Sequence, residues 1–149
     1  MFDQSGIRRP LASFSFSWFL TLLASGCGDA GNEPGNGDEI EVQGTWLSSF
    51  DTTETISSDA WNTQEIVLFD NAENLAVTQN TADAEFDPGK FNKNVWTEPE
   101  AGSFHYCTVA FGVDTAALAE AAANTANATD PESGGCGDFS WTQLTRIEP

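Results

Sequence analysis

A chain with one histidine, three cysteines and 23 acidic residues has few routes to chemistry. His105 is the sole imidazole that could serve a serine or cysteine nucleophile as base, and it stands two residues from Cys107 on a stretch that reads as strand. Carboxylate pairs do acid and base work without histidine when their pKa values are driven apart, and Glu98 with Glu100, beside Trp96, is the most inviting pair. They flank Pro99 in what reads as an exposed turn, where solvated acids have nothing to raise either pKa. An enzyme would need a cleft holding His105 and a neighbouring carboxylate; the residues favour a non-catalytic protein, with no catalytic residue and no cofactor assigned. No CxxC spacing offers zinc a site, and Asp70, Ala72 and Asn74 lack both the second ligand and the glycine of a calcium loop. No metal site is assigned, with looser calcium coordination around Asp130, Glu132 and Asp138 left open.

The remaining chemistry belongs to the cysteines, and it depends on where the chain goes. Arg8 and Arg9 precede an apolar run from Phe14 to Ala24, interrupted only by serines and Thr21, and Ser25-Gly26 follows as a small-residue cleavage site. As a helix, this run at roughly 1.5 Å per residue reaches about 16 Å, well short of a hydrocarbon core roughly 30 Å thick. It reads as a signal peptide over residues 1–26, not a permanent span. Leu23-Ala24-Ser25-Gly26-Cys27 resembles the lipobox of bacterial lipoproteins, with Ala24 where that family usually has leucine. The resemblance implies cleavage before Cys27 and attachment of a diacylglycerol and fatty acyl chains such as palmitate to it. The protein would then be anchored in the cell envelope, on the extracytoplasmic side, with the membrane as its first partner. The alternatives are an ordinary secretory signal cut near Gly26 and a buried apolar helix, either of which leaves Cys27 as a spare thiol.

An odd cysteine count in an exported protein leaves one thiol to explain, and lipidation of Cys27 supplies that explanation. Cys107 and Cys136 are then expected to pair as a disulfide in an oxidising compartment, with free thiols as the alternative. Residues 27–38 hold Gly, Asn, Asp, Glu and Pro34 but no apolar residue larger than Ala30, the composition of a flexible acidic linker. Residues 39–149 are expected to form a single domain.

From Cys27 onward the chain keeps Lys90, Lys93 and Arg146 against 22 acids, a formal charge of −19. Nucleic acid is excluded as a partner, because phosphate recognition needs the opposite sign. Such a surface suits solubility in concentrated salt, where screening relieves self-repulsion.

Beyond Glu39 the pattern alternates with period two. Ile40, Val42, Trp46 and Leu47 open a first strand; Gln64 to Phe69 and Leu75 to Gln79 follow, joined by the polar loop Asp70 to Asn74. Asp87-Pro88-Gly89-Lys90 is a turn flanked by Phe86 and Phe91, and further strands run over Phe91 to Thr97, Phe104 to Phe111 and Phe139 to Ile147. In the fifth of these, Cys107, Val109 and Phe111 share one face while Phe104 and Tyr106 share the other. One alanine-rich helix interrupts the series from Thr115 to Asn124, with Asp114 as its cap and Val113 stapled to Leu118. The class is therefore mainly β: a small antiparallel barrel or sandwich with one short helix before the last strand.

Gly44-Thr45-Trp46 near the start of the domain and Arg146 in its last strand resemble the lipocalin pattern, in which an early Gly-x-Trp crosses the closed end of an eight-stranded barrel and a late arginine packs over the indole. Lipocalins carry their main helix after the eighth strand, whereas here it precedes the last. Two functional expectations follow. One is a tethered, non-catalytic binding or interaction module whose exposed aromatics, such as Trp61 or Trp96, meet a sugar, a peptide or an envelope protein. The other, implied by the resemblance, is a lipocalin-like carrier of a small apolar ligand. No ligand-binding residue is assigned.

Overall fold

The computed structural model describes residues 39–147. The expected signal peptide, Cys27 and the linker to Asp38 lie outside the described residues. The strands in chain order are β1 (Gly44–Ser48), β2 (Thr53–Ile56), β3 (Ala60–Trp61), β4 (Gln64–Asp70), β5 (Leu75–Gln79), β6 (Phe91–Trp96) and β7 (Ser103–Val113). The helix α1 (Ala116–Ala121) and a minor hairpin of β8 (Gly135–Cys136) with β9 (Phe139–Ser140) then precede β10 (Thr142–Arg146).

Eight strands close into an antiparallel barrel. Each of β1 to β7 pairs with its neighbour in sequence, and β10 closes the ring by pairing with β7 on one side and β1 on the other. Closure is the general escape from the unpaired edges of an open sheet. The expected mainly β class is shown, and of the two expected architectures the structure takes the barrel.

Alternation along each strand divides inside from outside. Ile56, Trp61, Ala76, Trp96, Phe104 and Leu144 point inward around Trp46. Ile40 and Val42, expected to open the first strand, instead lie in a turn closed by Gln43 N donating to Ile40 O (3.1 Å), and they plug one end of the barrel. Trp46 Nε1 donates to Val42 O at 2.9 Å, and Phe104 meets the Trp46 ring edge-on at a centroid distance of 4.7 Å. This end is apolar and filled.

A second small core lies outside the barrel. Val95 and Cys107 face outward, where Trp141 and the half-buried Leu75, Val109, Ala126 and Cys136 cover them. Of the two faces expected for β7, Phe104 and Tyr106 lie inside and Cys107 and Val109 outside, but Phe111, expected with the latter pair, turns to the barrel mouth beyond a register shift against β6. The sulfurs of Cys107 and Cys136 lie 2.06 Å apart, at disulfide distance, and tie the long excursion after β7 to the sheet.

The helix differs from expectation at its start. Thr115 caps it, accepting from Leu118 N, while Asp114 pairs instead with Lys90. Leu118 is exposed, so no staple to Val113 forms; Ala119 is the residue that α1 buries. At the other end Lys93, almost fully buried on β6, donates to Glu120 O (2.8 Å) and Ala122 O (2.7 Å) and satisfies carbonyls that the helix cannot.

Candidate functional site

The residues singled out in the sequence divide between the barrel interior and its outer surface. Trp61 and Trp96, expected at the surface, are both buried in the barrel, because each falls on the inward register of its strand. Glu98 and Glu100 are exposed in the β6–β7 turn, and Asp130, Glu132 and Asp138 are exposed in the loop between α1 and β10. Among the described residues no three His, Cys, Asp or Glu side chains gather as metal ligands do. His105 faces outward from β7 and lines two clefts, one with Glu132 and one with Glu98 and Glu100, while its buried Nε2 has no hydrogen-bond partner. Among the described residues the exposed large aromatics are Phe50, Phe86, Phe111 and Phe139.

Midway along the barrel axis the interior turns polar. Glu54, buried on β2, accepts from Trp61 Nε1 and from the Tyr106 hydroxyl, each at 3.0 Å. The Trp61 ring lies 5.1 Å from that of Tyr106 and 6.3 Å from that of Trp96. Burial, and then the charge of Glu54, pushes the Tyr106 phenol well above its ordinary pKa of 10.0. A buried carboxylate is costly unless hydrogen-bonded, and the two donors here meet that need.

Beyond this layer the far end of the barrel opens into a cavity of about 410 Å³, which shares the wall residues Thr63, Gln64, Asn94 and Thr108 with a second one of about 220 Å³ lined also by Trp61 and Tyr106. The larger volume falls within the range of small-molecule sites, roughly 300 to 1,000 Å³. Its floor is built of carboxamides. Gln64 begins β4, Asn80 follows β5, and Asn92 and Asn94 occupy successive inward positions of β6.

These side chains hold one another. Gln64 Nε2 and Asn92 Nδ2 both donate to Asn80 Oδ1 at 2.8 Å, and Thr78 Oγ1 donates to Gln64 Oε1 at 3.0 Å. Asn92 Oδ1 accepts from the Gly112 amide (3.0 Å), and Asn94 Oδ1 accepts from Thr108 Oγ1 (2.6 Å). Asn80 Nδ2 reaches up to Asp87 O (3.0 Å), anchoring the loop over residues 80–90 that forms one wall of the mouth. Phe86 on that loop and Phe111 on β7 rim the opening, 74% and 71% exposed. No lysine, arginine or histidine lines the cavity, and its acids, Glu85 and Asp87, sit on the loop.

The loop carries the expected turn at Asp87 to Lys90, with Lys90 N donating to Asp87 O at 3.0 Å. The strand before this turn ends at Gln79, not at Phe86, so the hairpin is formed by β5 and β6 on either side of the whole loop.

Sequence reasoning assigned none of the mouth residues to a site. The available signal was Asn92 and Asn94, two residues apart in a strand and in phase with the inward Trp96, where asparagine is disfavoured and an apolar residue expected. Comparison with protein-family models, with curated proteins and with solved structures finds no match.

Proposed function

We propose that this protein is a membrane-anchored, extracytoplasmic lipoprotein, attached through lipid on Cys27, whose single barrel domain is a non-catalytic binding module that captures a small polar molecule in its open mouth. The barrel mouth carries this reading. One end of the barrel is plugged by Ile40, Val42 and Trp46, while the other ends in a concave, pre-ordered floor of carboxamides. Binding sites of this kind take shape from a few fixed polar groups in a concave wall, and barrel mouths are a common place for them. In the oxidising compartment that the signal segment implies, the sulfurs of Cys107 and Cys136 form a disulfide.

The arrangement of Gly44, Trp46 and Arg146 speaks for the lipocalin-like alternative, since the guanidinium packs over the indole at the plugged end. The lining speaks against an apolar cargo, because a greasy ligand would strip water from the amides of Gln64, Asn92 and Asn94 without replacing it.

Two measurements test the proposal. Mass spectrometry of protein from its native cells should find an acylated amino terminus at Cys27; an unprocessed or unacylated terminus removes the anchor. A thermal-shift screen of polar and apolar small molecules should raise the melting temperature only with polar ones. Stabilisation by fatty acids alone would favour the apolar carrier.

A further inference from the structure

Resting on the reading of the barrel mouth as a binding site, we propose that its ligand is a neutral, hydroxyl-rich ring, a mono- or disaccharide. Asn94 points most directly to it. The residue is only 3% exposed, its Oδ1 is taken by Thr108, and its Nδ2 donates to no described residue although it lines both cavities. That nitrogen is not sealed from solvent, so the donor faces the cavity, where an oxygen of a ligand can take the place of water.

The neighbouring groups define what that acceptor belongs to. The amides of Gln64 and Asn92 each spend one proton on Asn80 and keep a second, and an amide oxygen has two lone pairs of which the network uses one in Gln64 and in Asn94. The floor therefore offers fixed donors beside fixed acceptors. A hydroxyl both donates and accepts, so a ring bearing adjacent hydroxyls satisfies such a floor, whereas a hydrocarbon satisfies none of it. Because the amides are already held by one another, little side-chain freedom is lost on binding.

Charge and shape narrow the class further. With Glu85 and Asp87 on the wall and no cation in the lining, phosphate, sulfate and carboxylate ligands are repelled. Phe86 and Phe111 expose apolar rings beside the polar floor, the surface that the C–H face of a sugar covers while its hydroxyls turn to the amides.

The test is isothermal titration of the full-length protein in detergent with a panel of neutral mono- and disaccharides, alongside choline, sodium phosphate, free amino acids and palmitate. At least one saccharide should bind, insensitive to added sodium chloride. Asn94→Leu should weaken it about tenfold, the loss of one buried hydrogen bond. Phe111→Ala, at an exposed position where folding is not at stake, should weaken it several-fold. Binding of choline or an amino acid instead, sensitive to Asn94→Leu, overturns the saccharide and leaves the mouth as the site. Binding unaffected by either substitution, or no binding across the panel, overturns the site itself.

Discussion

The guanidinium of Arg146 lies over the indole of Trp46, 4.4 Å from the ring centroid, and joins the last strand to the first at the seam where the barrel closes. The two residues are directly opposite in the β1–β10 register, and Arg146 Nη2 also donates to Gln43 O at 3.0 Å. Gly44 makes room for this. At φ +150° it holds a conformation side chains avoid, and a Cβ there would come within 2.9 Å of Arg146 Nη1.

Arg146→Ala should therefore lower stability by about 1–2 kcal/mol, from the cation–π contact and the lost hydrogen bond. Gly44→Ala should destabilise through both crowding and backbone strain. Since the crowding requires the guanidinium, the double variant should fall short of the sum of the two, as read by urea unfolding followed through tryptophan fluorescence.

Tyr106 is the chain's only tyrosine, so its ionisation can be followed by ultraviolet absorbance without deconvolution. Its phenol is held protonated by burial and by the adjacent Glu54. Once the pH passes the unfolded value near 10, the unfolded chain releases a proton that the folded one keeps, and stability falls as pH rises further. No phenolate should appear at pH 10 in the native protein, and its appearance at higher pH should coincide with loss of tertiary structure. Tyr106→Phe, which leaves one oxygen of Glu54 without its donor, should cost about 1–3 kcal/mol at neutral pH.

Linking Cys107 to Cys136 closes a loop with a sequence separation of 29. A cross-link of that span stabilises a fold by roughly 3.5 kcal/mol in the chain-entropy model. Replacing both cysteines by serine should lower the unfolding free energy by about that much. It should also expose Trp141, which packs against Cys107, so that acrylamide quenches more of the native fluorescence.

Lys93→Met keeps the aliphatic stem but removes the ammonium that holds Glu120 O and Ala122 O. A loss of about 1–3 kcal/mol is expected. Hydrogen exchange should show α1 fraying while the amides of β6 and β7 stay protected.

All three described cations have structural partners: Lys90 with Asp114, Lys93 with the end of α1, Arg146 with Trp46. The described acids outnumber them heavily; Glu54 is buried, Asp70 half-buried and the others exposed. Added monovalent salt should raise the melting temperature by screening this repulsion, and an unchanged melting curve would count against a domain adapted to brine.

Strands whose inward positions are apolar are legible in the chain alone. β6 and β7 announce themselves through Val95, Trp96, Phe104 and Tyr106, and the loop between β4 and β5 through its run of turn residues. β2 could not be read, because its inward residues are Glu54 and Ile56, and an acid on the core face erases the alternation that marks a strand. The pairing of Glu54 with Trp61 and Tyr106 depends on contacts remote in sequence, which no local pattern encodes. For the same reason the mouth stayed hidden. Gln64, Asn80, Asn92 and Asn94 look like ordinary polar residues until closure of the ring turns them to one point.

That ring is sealed by β10, which bonds to β7 on one side and β1 on the other. Until Thr142 to Arg146 arrive, the other seven strands form an open sheet with two sticky borders. A chain delivered amino end first, from a ribosome or through a translocation pore, must wait for this segment before it can shut. The interval is the molecule's time of greatest danger from its neighbours, and a truncation just short of β10 would prolong it without end.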